Sequence, residues 1–275
     1  MRENILGPGQ GFIRIVEHWG DGDACEREAG IIEAARQSTQ KGFEGWGPHH
    51  DPATTCSNCK GRGFIPADEL IQHHTCVVCN GAKVKTWPGD EKLLGFLYRE
   101  DHATPFEFAG AVIEVEAPIF VFREWHRHRT QSYNEASARY APLPAHDYLP
   151  TLERMIASGQ AKTNRQASGE LLAASVAEAA RDAIAKHYEN TENLYRILLD
   201  AGVAREVARV ILPVGRFSRM RASANLRNWI GFMKLRRAPN AQWEIRQYAN
   251  ALAELLREKF PRTMGLAFPD LAASG

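Results

Sequence analysis

Residues 127 to 140 read Arg-His-Arg-Thr-Gln-Ser-Tyr-Asn-Glu-Ala-Ser-Ala-Arg-Tyr, with three arginines, a histidine and a carboxylate within fourteen positions. A guanidinium is a permanent cation carrying five donors in a planar fork, so this run has the chemistry to hold an anion, a phosphate above all. The preceding Ile119-Phe120-Val121-Phe122 is expected to be buried, which sets the cations at the edge of a core, where weaker solvation strengthens their pull. The plain alternative for a short Arg-His-Arg cluster is a solvated basic face. Ser137 and His128 also invite a nucleophile-and-base reading, although nothing nearby resembles a Ser-His-Asp arrangement.

A second group is Cys56-x-x-Cys59, then sixteen residues, then Cys76-x-x-Cys79. That spacing lets four thiolates meet at one tetrahedral zinc, and Gly61 and Gly81 after the pairs leave room for backbone amides to turn toward the sulfurs. Four protein ligands leave no open position for catalysis, so the zinc would be structural. His49, His50, His73 and His74 are rival ligands, with exposed loop histidines the simpler reading. The module, about residues 42 to 88, could contact nucleic acid, a partner or a neighbouring subunit, or only stabilise itself.

The elements that must position these groups follow from pattern. The 275 residues suit one domain spanning 1 to 275 with an inserted module, and a net charge of +1 argues against a nucleic-acid coat. No stretch resembles a membrane span or a signal peptide, and paired cysteines suit a reducing compartment, so a cytoplasmic protein is expected. A strand is expected over 11 to 19, then a turn at Gly20-Asp21-Gly22. A helix with an Asp23/Glu26 capping box follows, running through Arg36 and carrying Cys25. Asp90 should restart helix to about Asp101, leaving His102 and Thr104 in a loop, with strand over 106 to 117.

Pro118 suits a first helical position, so Ile119 to about Arg127 is expected helical, with Glu124, Arg127 and His128 on one face. The Ser-Tyr-Asn-Glu run reads as loop. A long helix is expected from about Gln166 to Leu199, with Leu171, Leu172, Val176, Ile184, Leu194 and Leu198 facing inward and Gly202 stopping it. Then come a short helix over Val203 to Leu212 closed by Pro213, strand over 216 to 223, a helix capped by Asn225, and a last helix over 240 to 259. This interleaving indicates an α+β fold.

Taken whole, Arg127 to Tyr140 resembles the signature of the flavin-dependent thymidylate synthases. So do His102-Ala-Thr-Pro-Phe-Glu107, Ala35-Arg36-Gln37-Ser38, Arg205 through Pro213, Asn225-Leu-Arg227, Leu235-Arg236 and Ala241-Gln-Trp-Glu-Ile245, in the family's order. The resemblance covers nearly all of residues 11 to 262 except the cysteine module, which the typical member lacks. It implies a central mixed or antiparallel sheet flanked by helices, a homotetramer with active sites at subunit interfaces, and synthesis of deoxythymidylate (dTMP) from deoxyuridylate (dUMP). Methylenetetrahydrofolate would give the carbon, and FAD reduced by NADPH would give the hydride.

By the same resemblance, Arg236 polarises the pyrimidine as the catalytic residue. The nucleotide would be held by Glu124, Trp125, His126, Arg127, Arg209 and the run Glu135, Ala136, Ser137, Ala138, Arg139, this run reaching from a neighbouring subunit. FAD would fall to Thr104, Arg127, His128, Arg129, Asn225 and Arg227, with Ser38, Glu107, Glu135 and the position of Gly231 beside them. The chain has no Gly-x-Gly-x-x-Gly fingerprint, so FAD phosphates would be held by side chains and helix ends. His128 would pack on the flavin and folate or act as a base; Ser137 would hydrogen-bond phosphate.

Glu124 stands where glutamine is often found, Gly231 where a polar side chain usually contacts flavin, and Asn240 where histidine is common. Glu124 could shift base preference toward another pyrimidine, for instance with hydroxymethylation of C5. A different class altogether is a zinc-dependent nucleic-acid-binding protein with an inactive core.

Overall fold

The computed structural model of the chain describes residues 1–47, 49–67, 72–160 and 170–274. In chain order the elements are β1 (Arg2–Glu3), β2 (Phe12–Trp19), α1 (Ala29–Ala35), β3 (His49–Thr55), β4 (Phe64–Ala67), β5 (Gln72–Thr75), β6 (Val84–Trp87) and α2 (Asp90–Arg99). A 3₁₀ turn (Thr104–Phe108) leads to β7 (Gly110–Pro118), α3 (Ile119–Trp125), β8 (Ser132–Glu135), α4 (Leu152–Ile156), α5 (Ala174–Asp200) and α6 (Arg205–Ala208). A second 3₁₀ turn (Arg209–Ile211) precedes β9 (Phe217–Asn225), α7 (Leu226–Arg236), α8 (Trp243–Lys259) and α9 (Pro261–Ala267).

One five-stranded sheet, ordered β1-β2-β7-β9-β8 with every pairing antiparallel, organises the molecule. Its two-residue side-chain period makes two different faces. Ala111, Ile113, Val115 and Ala117 of β7 are buried beside Met220, Ala222 and Ala224 of β9. The alternate positions carry charge across the strands: Arg14 pairs with Glu114 at 2.9 Å and Arg219 with Glu116 at 2.9 Å. The apolar face is covered by α7 through Leu226, Trp229, Phe232 and Met233 and by α8 through Ile245, Tyr248, Leu252 and Leu256. The α+β expectation holds, and no helix among the described residues is long and apolar enough to cross a membrane.

Several local expectations hold for their stated reasons. The Asn225 side chain accepts from Asn228 N at 2.9 Å and caps α7. Gly202, at φ 81°, ends α5, and Val203 N closes back on Leu198 O at 3.0 Å. Asp90 opens α2.

Others are corrected. The first helix begins at Ala29, and the Asp23/Glu26 box does not form: Glu28 and Cys25 are left-handed, at φ 68° and 53°, so Cys25 lies in a turn. Glu28 instead reaches across the chain and accepts from Arg262 N and Thr263 N at 2.9 and 2.7 Å, capping α9, which pattern did not reveal. Pro105 sits in a 3₁₀ turn, so the strand expected from 106 starts at Gly110. The Ser-Tyr-Asn-Glu run is β8, an edge strand paired to β9 as Tyr133↔Ala222. α3 ends at Trp125, not Arg127, and the helix expected from Val203 to Leu212 is split into α6 and a 3₁₀ turn. The helix expected from Gln166 starts at Ala174; residues 166 to 169 lie outside the described ones. Its inward face is also different, because Leu171 (77 % exposed), Val176 and Leu194 point outward while Ala177, Thr191 and Tyr195 are buried.

Candidate active site

Arg236, the last residue of α7, is held on three sides. Its Nη1 donates to Glu124 Oε2 at 2.9 Å, its Nη2 to the Glu124 carbonyl at 2.8 Å, and its Nε to His128 Nε2 at 2.8 Å. Local structure explains the convergence. α3 ends at Trp125 and the chain turns tightly, His126 N to Phe122 O at 2.8 Å and His128 N to Trp125 O at 3.0 Å, so Glu124 and His128 flank one spot. Tyr133 of β8 fixes that turn by donating to the carbonyls of His128 and Trp125 at 2.6 and 3.1 Å.

Because Arg236 Nε donates, His128 Nε2 must accept, which puts the ring proton on Nδ1. Burial, followed by the neighbouring Arg236 charge, holds His128 down at about 4 against a partial opposing pull from Glu124, so the ring is neutral near pH 7. It packs edge-on against Phe232 at 4.8 Å.

A pocket of about 290 Å³ opens beside α7, lined by Leu97, Phe106 and Ile230 below and by His102, Arg227 and Lys234 at its polar side. Gly231 also lines it, and a Cβ there would meet nothing within 4 Å. Arg227 is ion-paired with Glu107 from the Thr104–Phe108 turn, so two flavin candidates meet directly. Thr104 is exposed at the start of that turn. Lys234, Ile230 and Leu97 were not among the residues expected at the site; the i, i+4, i+7 spacing of Arg227, Gly231 and Lys234 on one helix is the signal that could have found Lys234.

The remaining candidates divide. Arg127 and Arg129 are exposed beside the Arg236 cluster in sequence and make no ion pair or side-chain hydrogen bond among the described residues, as do Arg209 and Ser38. Ser137 Oγ accepts from Arg139 N at 3.3 Å, and Arg139 lies over the Tyr140 ring. Arg205 donates to Tyr140 O at 3.2 Å, which ties this segment to the helix just before Arg209. Glu135 and Ala136 close β8, Ala136 N donating to Arg219 O at 2.8 Å. Two candidates are turned inward: the Trp125 ring is 0 % exposed and stacked on Phe232 at 4.6 Å, and Ala138 is buried. Any nucleotide contact at Trp125 falls to its backbone. His126 is exposed, with Nε2 3.2 Å from Met220 Sδ.

Away from this site, the Sγ atoms of Cys56, Cys59, Cys76 and Cys79 lie within 4.8 Å of one another, all buried. His74 is exposed and outside that group, and the side chains of His49, His50 and His73 lie outside the described ones.

Residues 23–262 match the family described as "Thymidylate synthase complementing protein". The chain is 44 % identical over 185 residues to a flavin-dependent thymidylate synthase of Thermus thermophilus, covering 67 % of this chain and 66 %, just under two thirds, of that one. It is 40 % identical over 207 residues to the flavin-dependent thymidylate synthase of Thermotoga neapolitana, covering 74 % and 89 %. In structure it resembles the UMP/dUMP methylase PolB of Streptomyces cacaoi bound with 5-Br UMP, with a TM-score of 0.69, 25 % identity and 95 % of both chains covered. The same enzyme bound with 5-Br dUMP gives 0.67 at 26 % identity. A family match over residues 23–262 and a relative 40 % identical over most of its own length settle the kinship: the protein belongs to the flavin-dependent thymidylate synthase family.

Proposed function

We propose that the protein methylates C5 of deoxyuridylate, taking carbon from methylenetetrahydrofolate and hydride from FAD that NADPH re-reduces. The observation that carries this reading is the triple clamp on Arg236, at the end of the helix whose earlier residues Arg227, Ile230, Gly231 and Lys234 line the pocket. Uracil C5 is a weak nucleophile, so the ring must be made electron-rich, and a preorganised cation at the N3 and O2 edge does this by favouring loss of the N3 proton without reorganising at the moment of reaction. Arg236 keeps two N–H donors beyond the three it spends on the chain, and these are the ones available to the pyrimidine edge. His128, neutral and with Nε2 occupied, orients Arg236 instead of carrying a proton.

The donor set fits a flavin dinucleotide. Arg127 and Arg129 stand exposed without partners among the described residues, and open space lies over the helix at Gly231. FAD would be held by those arginines, His128, Thr104, Asn225 and Arg227, with Ser38, Glu107 and Glu135 at its edges. When bound it supplies the hydride. Arg139 and Arg209, with Ser137 and the backbone of Glu135, Ala136 and Ala138, form the phosphate clamp of the nucleotide, in company with Glu124, His126 and the Trp125 main chain. Exposed apolar side chains at Val176, Leu194 and Ile197 of α5 support assembly into the homotetramer in which that clamp serves a neighbour's pocket.

Glu124 favours one second reading. A carboxylate bound to the polarising arginine suits a different pyrimidine or a hydroxymethyl product. The test is turnover: enzyme, FAD, NADPH, methylenetetrahydrofolate and deoxyuridylate should yield deoxythymidylate, and none above a heat-killed control would end the proposal.

A further inference from the structure

The cysteine module supplies none of the residues named for that reaction and has a physical problem of its own. Among the described residues, its buried cluster consists of Cys56, Cys59, Cys76 and Cys79, with only Ala82 packed against them. Two short antiparallel pairings, β3 with β6 and β4 with β5, flank this cluster. So small a core cannot hold a chain in strained conformations. Yet Lys60, Asn80 and Lys83, none of them glycine, sit at φ 49°, 45° and 67°. Such residues persist only where something over-determines them.

The strain is repeated. Positions twenty apart match in conformation: Lys60 with Asn80, Gly61 with Gly81 (78° and 82°), Gly63 with Lys83 (81° and 67°). The two halves exchange hydrogen bonds across an approximate two-fold, Cys56 N to Lys83 O at 2.9 Å and Cys76 N to Gly63 O at 3.0 Å. Each turn aims its cysteines inward at one point. The cross-pairs Cys56–Cys76 and Cys59–Cys79 stand 3.9 and 3.7 Å apart at sulfur. That is far beyond a disulfide at about 2.05 Å. It is the edge of a tetrahedron of sulfurs each about 2.3 Å from a central ion, which comes to about 3.8 Å. Thiolates shared among the irons of a cluster would be spread more widely than the 4.8 Å limit here. Donors to sulfur complete the setting: Gly63 N to Cys59 at 3.2 Å and Asn58 Nδ2 to Cys76 at 3.3 Å.

We infer that Cys56, Cys59, Cys76 and Cys79 bind one zinc ion in a closed tetrathiolate site that shapes the two facing turns and is independent of the reaction centre. Zinc fits because it imposes no geometry of its own and favours thiolate sulfur. The stem supports the independence. Asp90, just past β6, binds Arg36 and accepts Glu44 N at 2.9 Å, and Glu91 Oε2 accepts Gly47 N at 2.6 Å, so the catalytic core secures both ends of the insertion without the metal.

The test uses the full chain purified without chelator. Elemental analysis should give one zinc per chain, and replacement by Co(II) should give the intense sulfur-to-metal charge-transfer and visible bands of a tetrahedral tetrathiolate. Cys79→Ser should lose those bands. Stripping the metal should deprotect amides of residues 54 to 84 in hydrogen exchange while those of β7 and β9 stay protected. Zinc well below one per chain, iron in its place, or a cobalt spectrum without thiolate bands would overturn the assignment. Loss of β7 and β9 protection on stripping would overturn the independence.

Discussion

Arg236 Nε donates to His128 Nε2 at 2.8 Å, so the histidine nearest the proposed reaction centre spends its lone pair on the arginine. Burial and the Arg236 charge together hold its folded value at about 4 against an ordinary 6.5. The sign follows. Between pH 6.5 and 4 the unfolded chain takes up a proton that the folded ring refuses, so this contribution to stability is complete above 6.5 and is lost as pH falls toward 4. Histidine NMR should place the His128 titration near 4, with Nδ1 protonated above it; a midpoint near 6.5 would refute the pairing.

Substitution at Arg236 should move both chemistry and titration. In Arg236→Gln the second-largest cause of the depressed value disappears, so His128 should rise toward 6.5, while Glu124→Gln, which removes a counter-charge, should lower it further. Loss of a preorganised charge also predicts a fall in kcat of roughly 10²-fold or more in Arg236→Gln. Steady-state kinetics with NMR on the same samples checks both; an unchanged kcat would remove Arg236 from the reaction.

Gly231 occupies the middle of α7 with open space above it. Asparagine there creates no clash and restores one side-chain donor toward bound flavin, so Gly231→Asn should tighten FAD binding by about 1 kcal/mol. Flavin fluorescence titration reads this directly. Weaker binding would mean that the cofactor itself fills the space over the glycine.

Arg216 is 0 % exposed and binds Asp147 at 3.0 Å, Glu192 at 2.8 Å and Pro144 O at 2.8 Å, joining β9 to α5 and to the segment before α4. Arg216→Met leaves those carboxylates facing each other without a cation. Denaturant unfolding should show a loss of about 3–5 kcal/mol. A loss below 1 kcal/mol would mean that the triad adds nothing net.

What pattern revealed and what it missed divide along the range of the interactions. Asn225 capping, Gly202 stopping α5 and the alternation of β7 are local, each written within a few residues, and each was legible. β8 was not: Ser132, Tyr133, Asn134 and Glu135 have no apolar alternation and become a strand only because β9 offers an edge. The Asp23/Glu26 box failed because the helix starts only at Ala29, after left-handed Cys25 and Glu28, and Asp23 N is taken by Glu33 instead. At the site, motifs named Arg236, Glu124 and His128 separately, but only the fold places one guanidinium between the other two. Trp125 fell within a motif whose side chain proved to be core.

The most direct test of the central claim is the mass of the product. Offered deoxyuridylate, uridylate and deoxycytidylate together with FAD, NADPH and methylenetetrahydrofolate, the enzyme should convert deoxyuridylate into a product heavier by one CH2, and Arg236→Gln should suppress it. A hydroxymethylated product, or conversion of the cytosine nucleotide in preference to deoxyuridylate, would contradict the account.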